Sequence, residues 1–377
     1  MIRVLNVISD SNIGGAGRVI MNYLRYADRD RFETLVAVPR GSLLVEPLRE
    51  LGAVVYEVDG IADRSYHRDD VRTLTRLIGE IAPDVVHAHG ALSARIAGRR
   101  CGSVVVYTRH SAFPVPAKLR YPPGRWVNKL VNEHYADHII AVSPAAAENL
   151  TDAGISPKRI TVVLNGVAPL DAVPEEERCA CRAELGIAPD EFVAGIAARV
   201  EPYKGHLLIV EAAEKLRAEG RNFKILVAGT GTYEDALRGE IERRNLTDTM
   251  LLLGFRSDVP RLLNIMDVQL NASWGTEATS IALLEGMSLG LPSIVSDYGG
   301  NPWLVRDGDN GFVFPSKNSA ALAKALARAM DEPETLVRMK QRAVEVYRER
   351  FTGECFARNV EAVYLRAMEE AGHGKQK

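Results

Sequence analysis

Residues 3–24, RVLNVISDSNIGGAGRVIMNYL, join an apolar run, a glycine-rich turn and an amphipathic stretch. A strand, a tight turn and a helix in that order predict the first half of a βαβ unit. Gly14, Gly15 and Gly17 form either a simple tight turn or one whose backbone N–H groups approach a phosphate or sugar hydroxyl. Because Ile20 stands where a third glycine would be needed, the turn does not match the dinucleotide-binding pattern.

The same alternation of apolar runs and helical stretches continues along the chain. It predicts an α/β protein with two Rossmann-type domains, each with its own parallel sheet. A segment rich in proline and charge, 167–191, predicts a linker with a short helix. We expect an N-terminal Rossmann-like domain over 1–170, a second Rossmann-like domain over 171–350, and a C-terminal helix within 351–377 that packs on the first domain or the second. By default the ligand site is a cleft between the two domains.

The composition is that of an ordinary globular protein, with 377 residues and a formal net charge of -2. This charge gives no indication of a nucleic-acid partner. Cys179 and Cys181 form a C-x-C pair with no second cluster, so zinc is not expected and the cysteines indicate a reduced, cytoplasmic protein. The N-terminus predicts a strand, not a signal peptide, and no apolar run is long enough to cross a membrane.

The stretch 276–292, TEATSIALLEGMSLGLP, contains two carboxylates, Glu277 and Glu285. On one helix they would lie about 80° apart and would not share a face. A better interpretation places Glu277 in a loop and Glu285 inside a helix that Thr279 or Ser280 caps. The unpaired N–H groups of that helix start would point between the carboxylates, which suits an anion with hydroxyl groups on either side.

Arg199 and Lys204 follow a predicted strand, five residues apart around a proline-containing turn. Two cations at the carboxyl end of a strand suit a diphosphate. By themselves they are more typical of solvated surface charges.

Several histidines also lie near strand ends. His87 and His89 share one face of a strand, where hydrogen bonding or packing is favoured over metal binding. His110 ends another strand, at a place where it can hydrogen-bond a ligand. His134 and His138, four residues apart, are predicted to lie on the surface of a helix.

The stretch 118–134 mixes Lys118, Arg120, Arg125 and Lys129 with aromatic and apolar residues. Basic residues beside aromatics suit an anionic membrane surface. The alternative is a solvated helix with an apolar stripe in the core.

These motifs occur in a recognisable order: GGAGR, VVLNGV, ARVEPYKG, LVAGTG, LLGFRSDV, and the Glu-x7-Glu run followed by GMSLGLPSIVSDYGGNP. Together they resemble the retaining glycosyltransferases of family 4, and the resemblance covers nearly the whole chain. It implies the GT-B fold, in which two Rossmann-like domains face each other across a cleft.

The resemblance also implies roles for the charged residues of the second domain. Arg199 and Lys204 would hold the diphosphate of a nucleotide sugar. Glu277 would contact the hydroxyl groups of the donor sugar, and Glu285 would hold the ribose hydroxyls. The two carboxylates are then binding groups that flank one ligand. They do not act as a general acid and a general base.

For the remaining positions the resemblance implies contacts around the same ligand. Phe255 and Arg256 would flank the base, and Gly15 would approach the phosphate from the first domain. His110 would contact the donor sugar and be needed for catalysis, together with Arg199, Lys204 and Glu277. The backbone N–H groups over the sugar and phosphate would be those of Thr279, Ser280 and Ile281.

The sequence departs from the family pattern at three places. Glu-Ala-Thr-Ser begins at Glu277, where the family often has Glu-Gly-Phe-Gly. Gly17 and Trp303 each stand where the family often has Glu. The first departure bears on the choice of sugar.

The implied function is retaining transfer of a hexose or N-acetylhexosamine, from a UDP-sugar or next from GDP-mannose. The acceptor would be a glycan or lipid-linked precursor of a cell-surface polysaccharide, with peripheral association at the inner membrane face. No cofactor or metal is expected. The alternatives are a nucleotide-sugar epimerase of the same fold, a non-enzymatic two-domain binding protein, and a nicotinamide-dependent dehydrogenase, which the glycine pattern disfavours.

Overall fold

The computed structural model describes residues 1–374. The chain divides into two compact units. Unit 1 comprises Met1–Val167 together with the segment that begins at Phe351, and unit 2 comprises Ala168–Arg350. The chain therefore leaves unit 1 after Val167 and returns to it at Phe351.

Unit 1 is built on a seven-stranded sheet whose neighbouring strands are all parallel. Its strands are β1 (Ile2–Ile8), β2 (Phe32–Pro39), β3 (Val54–Val58), β4 (Val85–His89), β5 (Val104–Arg109), β6 (His138–Ala141) and β7 (Ile160–Val162). The strand order is β3-β2-β1-β4-β5-β6-β7. Because this order reverses between β1 and β4, the loops at their carboxyl ends diverge and leave room for a ligand there.

Helices cover the sheet of unit 1. They are α1 (Gly15–Tyr26), α2 (Val45–Glu50), α3 (Arg68–Ile81), α4 (Leu92–Cys101), α5 (Ala117–Arg120), α6 (Gly124–His134), α7 (Pro144–Asp152) and the 3-10 turn η1 (Pro157–Arg159). In α3, Val71, Leu74, Ile78 and Ile81 are buried, at the spacing that places them on one face. The helix ends at Ala82, which takes a left-handed conformation and donates its N–H to the Ile78 carbonyl.

Unit 2 has a six-stranded sheet, also parallel throughout. Its strands are β8 (Phe192–Ala197), β9 (Phe223–Ala228), β10 (Met250–Gly254), β11 (Val268–Asn271), β12 (Ser293–Ser296) and β13 (Gly311–Phe314). The order is β10-β9-β8-β11-β12-β13, with the reversal between β8 and β11. The prediction of two Rossmann-type domains, each with its own parallel sheet, is confirmed.

The helices of unit 2 pack on both faces of this sheet. They are α8 (Glu175–Glu184), the 3-10 turn η2 (Pro202–Lys204), α9 (His206–Ala218), α10 (Glu234–Arg243), α11 (Val259–Leu263), α12 (Ile281–Ser288), α13 (Asn301–Leu304), α14 (Ser319–Asp331) and α15 (Pro333–Arg350). The core includes buried residues of β8, β9 and β11 packed against α9 and α14. The predicted short helix of the linker is α8, whose Cys181 is fully buried in unit 2.

The last helix, α16 (Gly353–Gly374), packs on α1 and β5 of unit 1. Phe356, Val360 and Tyr364 on this helix are buried. Val167 donates its N–H to the Phe351 carbonyl at 3.0 Å, so the two points where the chain crosses between units are hydrogen-bonded to each other.

Candidate active site

The loops that follow β8 and β11 are joined at the strand-order reversal of unit 2. Gly205, with φ of +77°, lies so close to the other loop that a Cβ here would be 2.1 Å from the Ala272 carbonyl oxygen. Trp274 donates its N–H to the Tyr203 carbonyl at 2.9 Å. Only glycine meets both requirements at 205, because it accepts the left-handed backbone and has no Cβ to collide. The residue before it, Lys204, is thereby held against the loop that carries Glu277.

The Glu277 carboxylate is the centre of this site. It is buried, and its Oε2 accepts three hydrogen bonds: from Lys204 Nζ at 2.8 Å, Asn271 Nδ2 at 2.9 Å and Ser273 Oγ at 3.1 Å. A buried carboxylate stays ionised only when such donors and a cation replace its water. All three of these donors bind the same carboxylate oxygen, Oε2.

Two glycines, Gly299 and Gly300, pack against the backbone of Glu277 and Ala278. Gly300 donates its N–H to the Glu277 carbonyl at 2.9 Å. A Cβ on Gly300 would lie 1.7 Å from the Ala278 carbonyl oxygen, and one on Gly299 would lie 2.1 Å from the Glu277 carbonyl oxygen. The Gly-Gly pair after β12 therefore allows the two loops to touch along their backbones.

Arg199 lies beside this cluster but outside the ion pair. Its side chain is exposed, and Nη2 donates to the Tyr203 hydroxyl at 3.2 Å. The backbone around it is fixed, since Val200 donates its N–H to the Thr230 carbonyl at 2.9 Å. A Cβ on Gly231 would be 2.1 Å from the Val200 carbonyl oxygen. The two predicted diphosphate cations thus share one short loop, one paired with Glu277 and one open to solvent.

The helix start predicted between the two glutamates is that of α12. Ser280 is its N-cap, and the Ser280 hydroxyl accepts the Leu283 N–H at 3.4 Å. Glu277 precedes the helix and Glu285 lies within it, as the sequence predicts. Thr279 and Ile281 flank the cap, and all three of these positions are half-buried.

The predicted base-flanking residues follow β10. Phe255 is 79% exposed, as an aromatic ring available for stacking would be. Arg256 forms a bidentate ion pair with Asp258, with distances of 2.7 and 2.6 Å. Its charge is therefore already engaged within its own loop.

In unit 1, the glycine turn leads directly into α1. Gly15 is the first residue of this helix, and a Cβ added there would meet nothing within 4 Å. Gly17 is different, since a Cβ there would lie 2.5 Å from the Leu44 side chain. The glycine that departs from the family pattern is thus a packing residue in this chain.

A chain of hydrogen bonds joins His110 to the interior of unit 1. His110 Nε2 lies 2.8 Å from His89 Nδ1, and His89 Nε2 lies 3.0 Å from Asn6 Oδ1. The rings of His89 and His110 are stacked with centroids 5.1 Å apart. These contacts fix the plane of the His110 ring at the carboxyl end of β5.

His87 lies beside His89, with ring centroids 4.2 Å apart. Its two nitrogens are 2.7 Å from the Tyr364 hydroxyl and 2.6 Å from Thr108 Oγ1, so hydrogen bonding within the core is its role, as predicted. Burial lowers the pKa of His87 to about 3 and the pKa of His110 to about 4. Burial also lowers the pKa of His89 well below its usual value. All three rings are therefore neutral at pH 7.

Two expectations about unit 1 are wrong. His138 is not on a helix surface: it is the first residue of β6, fully buried, and its Nε2 lies 2.7 Å from Thr161 Oγ1. Of these two histidines, only His134, at the end of α6, is exposed. The apolar residues of the stretch 118–134 do not form a core stripe, because neither α5 nor α6 has a buried residue.

Several residues that build these sites were missed from the sequence. Asn271 and Ser273 orient Glu277, whereas Asn6 and Tyr364 orient the histidines. One signal could have identified the first pair: Gln269 and Asn271 on the buried strand β11, and Ser273 two residues after its end, are polar at alternate buried positions, where a hydrophobic residue is the rule. Tyr364 gives no such signal, because it is one of several apolar residues on an amphipathic helix.

Two further observations concern the described residues 1–374. No helix there is long and apolar enough to span a bilayer. No group of three or more His, Cys, Asp or Glu side chains is placed to hold a metal ion.

Solved structures identify the fold class. A glycosyltransferase from Rickettsia africae superposes with a TM-score of 0.83 at 18% identity, covering 97% of this chain and 98% of that chain. HepE of Anabaena in complex with UDP-glucose superposes with a TM-score of 0.81 at 20% identity, covering 96% and 99%. The fold is therefore that of the GT-B glycosyltransferases.

Sequence relatives identify the family. The family model described as Glycosyl transferases group 1 matches residues 178–346, and that of Glycosyltransferase Family 4 matches 13–169. The UDP-Gal:alpha-D-GlcNAc-diphosphoundecaprenol alpha-1,3-galactosyltransferase of Escherichia coli is 28% identical, covering 69% of this chain and 70% of its own length. A D-inositol 3-phosphate glycosyltransferase of Streptomyces bingchenggensis is also 28% identical, covering 76% and 67%. The chain belongs to the glycosyltransferases that these two models describe, and the family predicted from its motifs is confirmed.

Proposed function

We propose that the chain is a retaining glycosyltransferase that transfers a hexose or N-acetylhexosamine from a nucleotide sugar, with a UDP-sugar favoured over GDP-mannose. The acceptor is a glycan or a lipid-linked precursor in cell-surface polysaccharide synthesis, reached by peripheral association with the membrane. Support for the donor and acceptor classes comes from the UDP-glucose complex of HepE and from the lipid diphosphate named for the E. coli relative. The observation that carries the proposal is the Lys204–Glu277 pair at the strand-order reversal of unit 2.

In this proposal the donor lies along the edge formed by the loops after β8 and β11. Arg199 and Lys204 hold the diphosphate, because two cations on one short loop match its two negative groups. The oxygen Oε1 of Glu277 accepts hydrogen bonds from the sugar hydroxyls, while Oε2 is held by protein donors. Glu285, in the second turn of α12, accepts from the ribose hydroxyls.

The remaining contacts follow the family resemblance. Phe255 stacks on the base, and Arg256 contributes the apolar part of its side chain, since Asp258 engages its guanidinium. Gly15 approaches the phosphate, and His110 contacts the donor sugar. With its pKa lowered to about 4, His110 acts at pH 7 as a neutral hydrogen-bonding group and not as a cation.

The proposed reaction breaks the bond between the anomeric carbon and the phosphate oxygen. The electron pair leaves with the diphosphate, where Arg199, Lys204 and the N–H groups of Thr279, Ser280 and Ile281 stabilise the developing charge. The acceptor hydroxyl attacks the oxocarbenium-like carbon from the same face, and its proton passes to a phosphate oxygen. Retention then needs neither a protein nucleophile nor a metal ion or cofactor.

Thermal unfolding in the presence of UDP, GDP, ADP, NAD and a set of sugar nucleotides tests the donor. A ligand at a hundred times its dissociation constant adds about 2.7 kcal/mol to the unfolding free energy. We expect one nucleoside diphosphate to raise the Tm, and Glu285→Ala to abolish that rise. Glu242→Ala, which removes an exposed carboxylate of α10, should leave it unchanged.

Incubating the responding sugar nucleotide with candidate acceptors then tests the reaction. The anomeric proton of the product, observed by NMR, should show the configuration of the donor. Inversion would refute the retaining mechanism. Interconversion of two donors, or release of nucleotide that no acceptor accelerates, would favour an epimerase, and a thermal response to NAD alone would refute the assignment of unit 2.

A further inference from the structure

Helices α5 and α6 present an unusual surface on unit 1. Neither helix has a buried residue. Tyr121, Trp126, Val127 and Leu130 are 64, 68, 58 and 70% exposed. On α6, Trp126 and Val127 precede Leu130 by four and three positions, so the three side chains form one face. This face is turned to solvent. An amphipathic helix of a soluble domain normally turns its apolar face to the core.

The polar side of α6 is the side that holds it to the domain. The buried Arg95 donates from Nη1 to Asn132 Oδ1 at 2.9 Å. Asn128 Nδ2 donates to the Ala153 carbonyl at 2.8 Å, and Glu133 Oε1 accepts the Ser156 N–H at 2.9 Å. These bonds fix the orientation of the helix, so its apolar residues cannot turn inward without breaking them.

The same segment is basic. Residues 113–134 contain four cations and one carboxylate, a net charge of +3 in a chain whose net charge is -2. The carboxylate, Glu133, is engaged by the domain. Arg120 lies 3.4 Å from Asp152, but both side chains are more than half exposed, so this pair neutralises little. The exposed apolar face is thus accompanied by a surplus of positive charge.

We propose that this surface docks on an anionic lipid bilayer. The α5–α6 patch is Tyr121, Trp126, Val127 and Leu130 with the cations Lys118 and Lys129. Tyrosine and tryptophan side chains favour the headgroup region, and lysines beside them attract anionic headgroups. Trp126 and Leu130 enter the boundary between headgroups and acyl chains, as in helices that lie in the plane of an interface.

Charge complementarity favours a lipid surface over a second copy of this chain. In a two-fold dimer the same patch faces itself, so its cations would meet identical cations. An anionic bilayer instead supplies the opposite charge across the whole patch. The purpose of this docking, which is to bring the enzyme to a lipid-linked acceptor, rests on the proposed function. Binding to lipid can be measured whether or not the proposed function is correct.

Co-sedimentation of the full chain with vesicles is the direct test. We expect binding to vesicles of equal parts phosphatidylcholine and phosphatidylglycerol, and weak binding to phosphatidylcholine alone. The double variant Trp126→Ser/Leu130→Ser should reduce the partition coefficient at least roughly tenfold, because it removes two large apolar side chains from the interface. Lys118→Glu/Lys129→Glu should reduce it by about fivefold or more per cation, an effect that added salt should mimic.

Matched controls come from unit 2. Val337 on α15 is 66% exposed and Lys324 on α14 is exposed, so Val337→Ser and Lys324→Glu make the same changes elsewhere and should bind vesicles like the unchanged protein. The Tm of each variant, alone and with the nucleotide identified above, separates lost docking from lost folding or lost donor binding. Unchanged vesicle binding by both patch variants would refute the proposal. So would failure of the unchanged protein to bind anionic vesicles, or a dimer in solution that the patch variants dissociate.

Discussion

Glu277 is a buried carboxylate whose charge is compensated by neighbours from two different loops. Lys204 supplies the cation, and Asn271 and Ser273 supply neutral donors. All three act on one oxygen, which fixes the carboxylate plane before any ligand binds. Such prior ordering is what makes a fixed charge effective in a transition state, since no reorganisation is needed during the reaction.

The variant Lys204→Ala should therefore reduce turnover by about a hundredfold or more, the scale observed when an oxyanion donor is removed. It removes a cation from the proposed diphosphate site and the charged partner from Glu277. Steady-state kinetics with the donor identified by thermal unfolding is the measurement. Lys215→Ala, which removes an exposed lysine of α9, is the matched control, and near-normal turnover in Lys204→Ala would contradict the assignment.

The buried histidines make stability depend on pH. The folded-state pKa of His87 is lowered to about 3, below its ordinary value of 6.5, so the unfolded chain takes up the proton first as the pH falls. Full stability is thus present above pH 6.5 and is lost as the pH falls towards 3. For His87 alone the loss between pH 7 and pH 5 is about 2 kcal/mol.

We expect His87→Gln, which keeps hydrogen-bonding capacity but cannot titrate, to show a smaller loss of unfolding free energy over this range. Urea unfolding at pH 7 and pH 5 measures the difference between the two proteins. Substitution of the exposed His134 by Gln is the control and should leave the pH dependence unchanged. An equal loss in His87→Gln and the unchanged protein would show that His87 is not a neutral buried group.

At the scale of elements, glycines decide how closely the loops of unit 2 approach one another. Gly205 allows the loops after β8 and β11 to meet, and Gly300 allows the loop after β12 to support Glu277. Because each of these glycines lacks a side chain, the backbones of the two loops are in direct contact. The site is consequently rigid where its loops touch, even though it consists of loops.

Gly300→Ala tests this contact without changing the backbone preference, because Gly300 has φ of -81°, which alanine accepts. The added Cβ would lie 1.7 Å from the Ala278 carbonyl oxygen, so the Glu277 loop must move. We expect a loss of about 1 to 3 kcal/mol in unfolding free energy and weaker donor binding.

Gly239→Ala is the matched control for that measurement. Gly239 lies on the exposed side of α10 with nothing within 4 Å of a Cβ, so alanine there should stabilise the protein by about 0.5 to 1 kcal/mol. If Gly300→Ala behaved in the same way, the close contact would have no structural role.

The elements show which parts of the molecule were predictable from the sequence. Strands and their parallel pairing were predictable, because short runs of Val and Ile separated by helical stretches admit few other arrangements. The Lys204–Glu277 bond joins residues 73 apart in sequence and was not predicted, because the family resemblance implied only that both residues contact one ligand. The orientation of α6 was not predictable: its pattern is that of any amphipathic helix, and only its tertiary hydrogen bonds decide which face is buried.

For the whole molecule, the return of the chain to unit 1 is decisive for stability. The buried Phe356, Val360, Val363 and Tyr364 of α16 each contribute about 1.5 to 3 kcal/mol by burial. Together this amounts to about 6 to 12 kcal/mol, close to the whole stability of a typical domain of about 5 to 15 kcal/mol. Residues 1–167 without α16 should therefore not fold stably.

We expect the isolated segment 168–350 to unfold cooperatively, whereas residues 1–167 alone should be aggregated or only partly structured by circular dichroism. Co-expression with residues 351–377 as a separate chain should recover soluble, structured material. The control is the same co-expression with Tyr364→Asp and Val360→Asp in the helix. A cooperative unfolding transition in residues 1–167 alone would refute this dependence on α16.

The placement of α16 also determines the order in which the protein can be completed during synthesis. Residues 1–167 leave the ribosome before unit 2, but the helix that closes their core leaves after all of unit 2. At about 5 to 20 residues per second, the interval is about 10 to 40 s. Unit 2 can fold as soon as it emerges, whereas the nascent unit 1 keeps the groove for α16 open. Chaperones that hold exposed apolar surface would consequently act mainly on the first half of this chain.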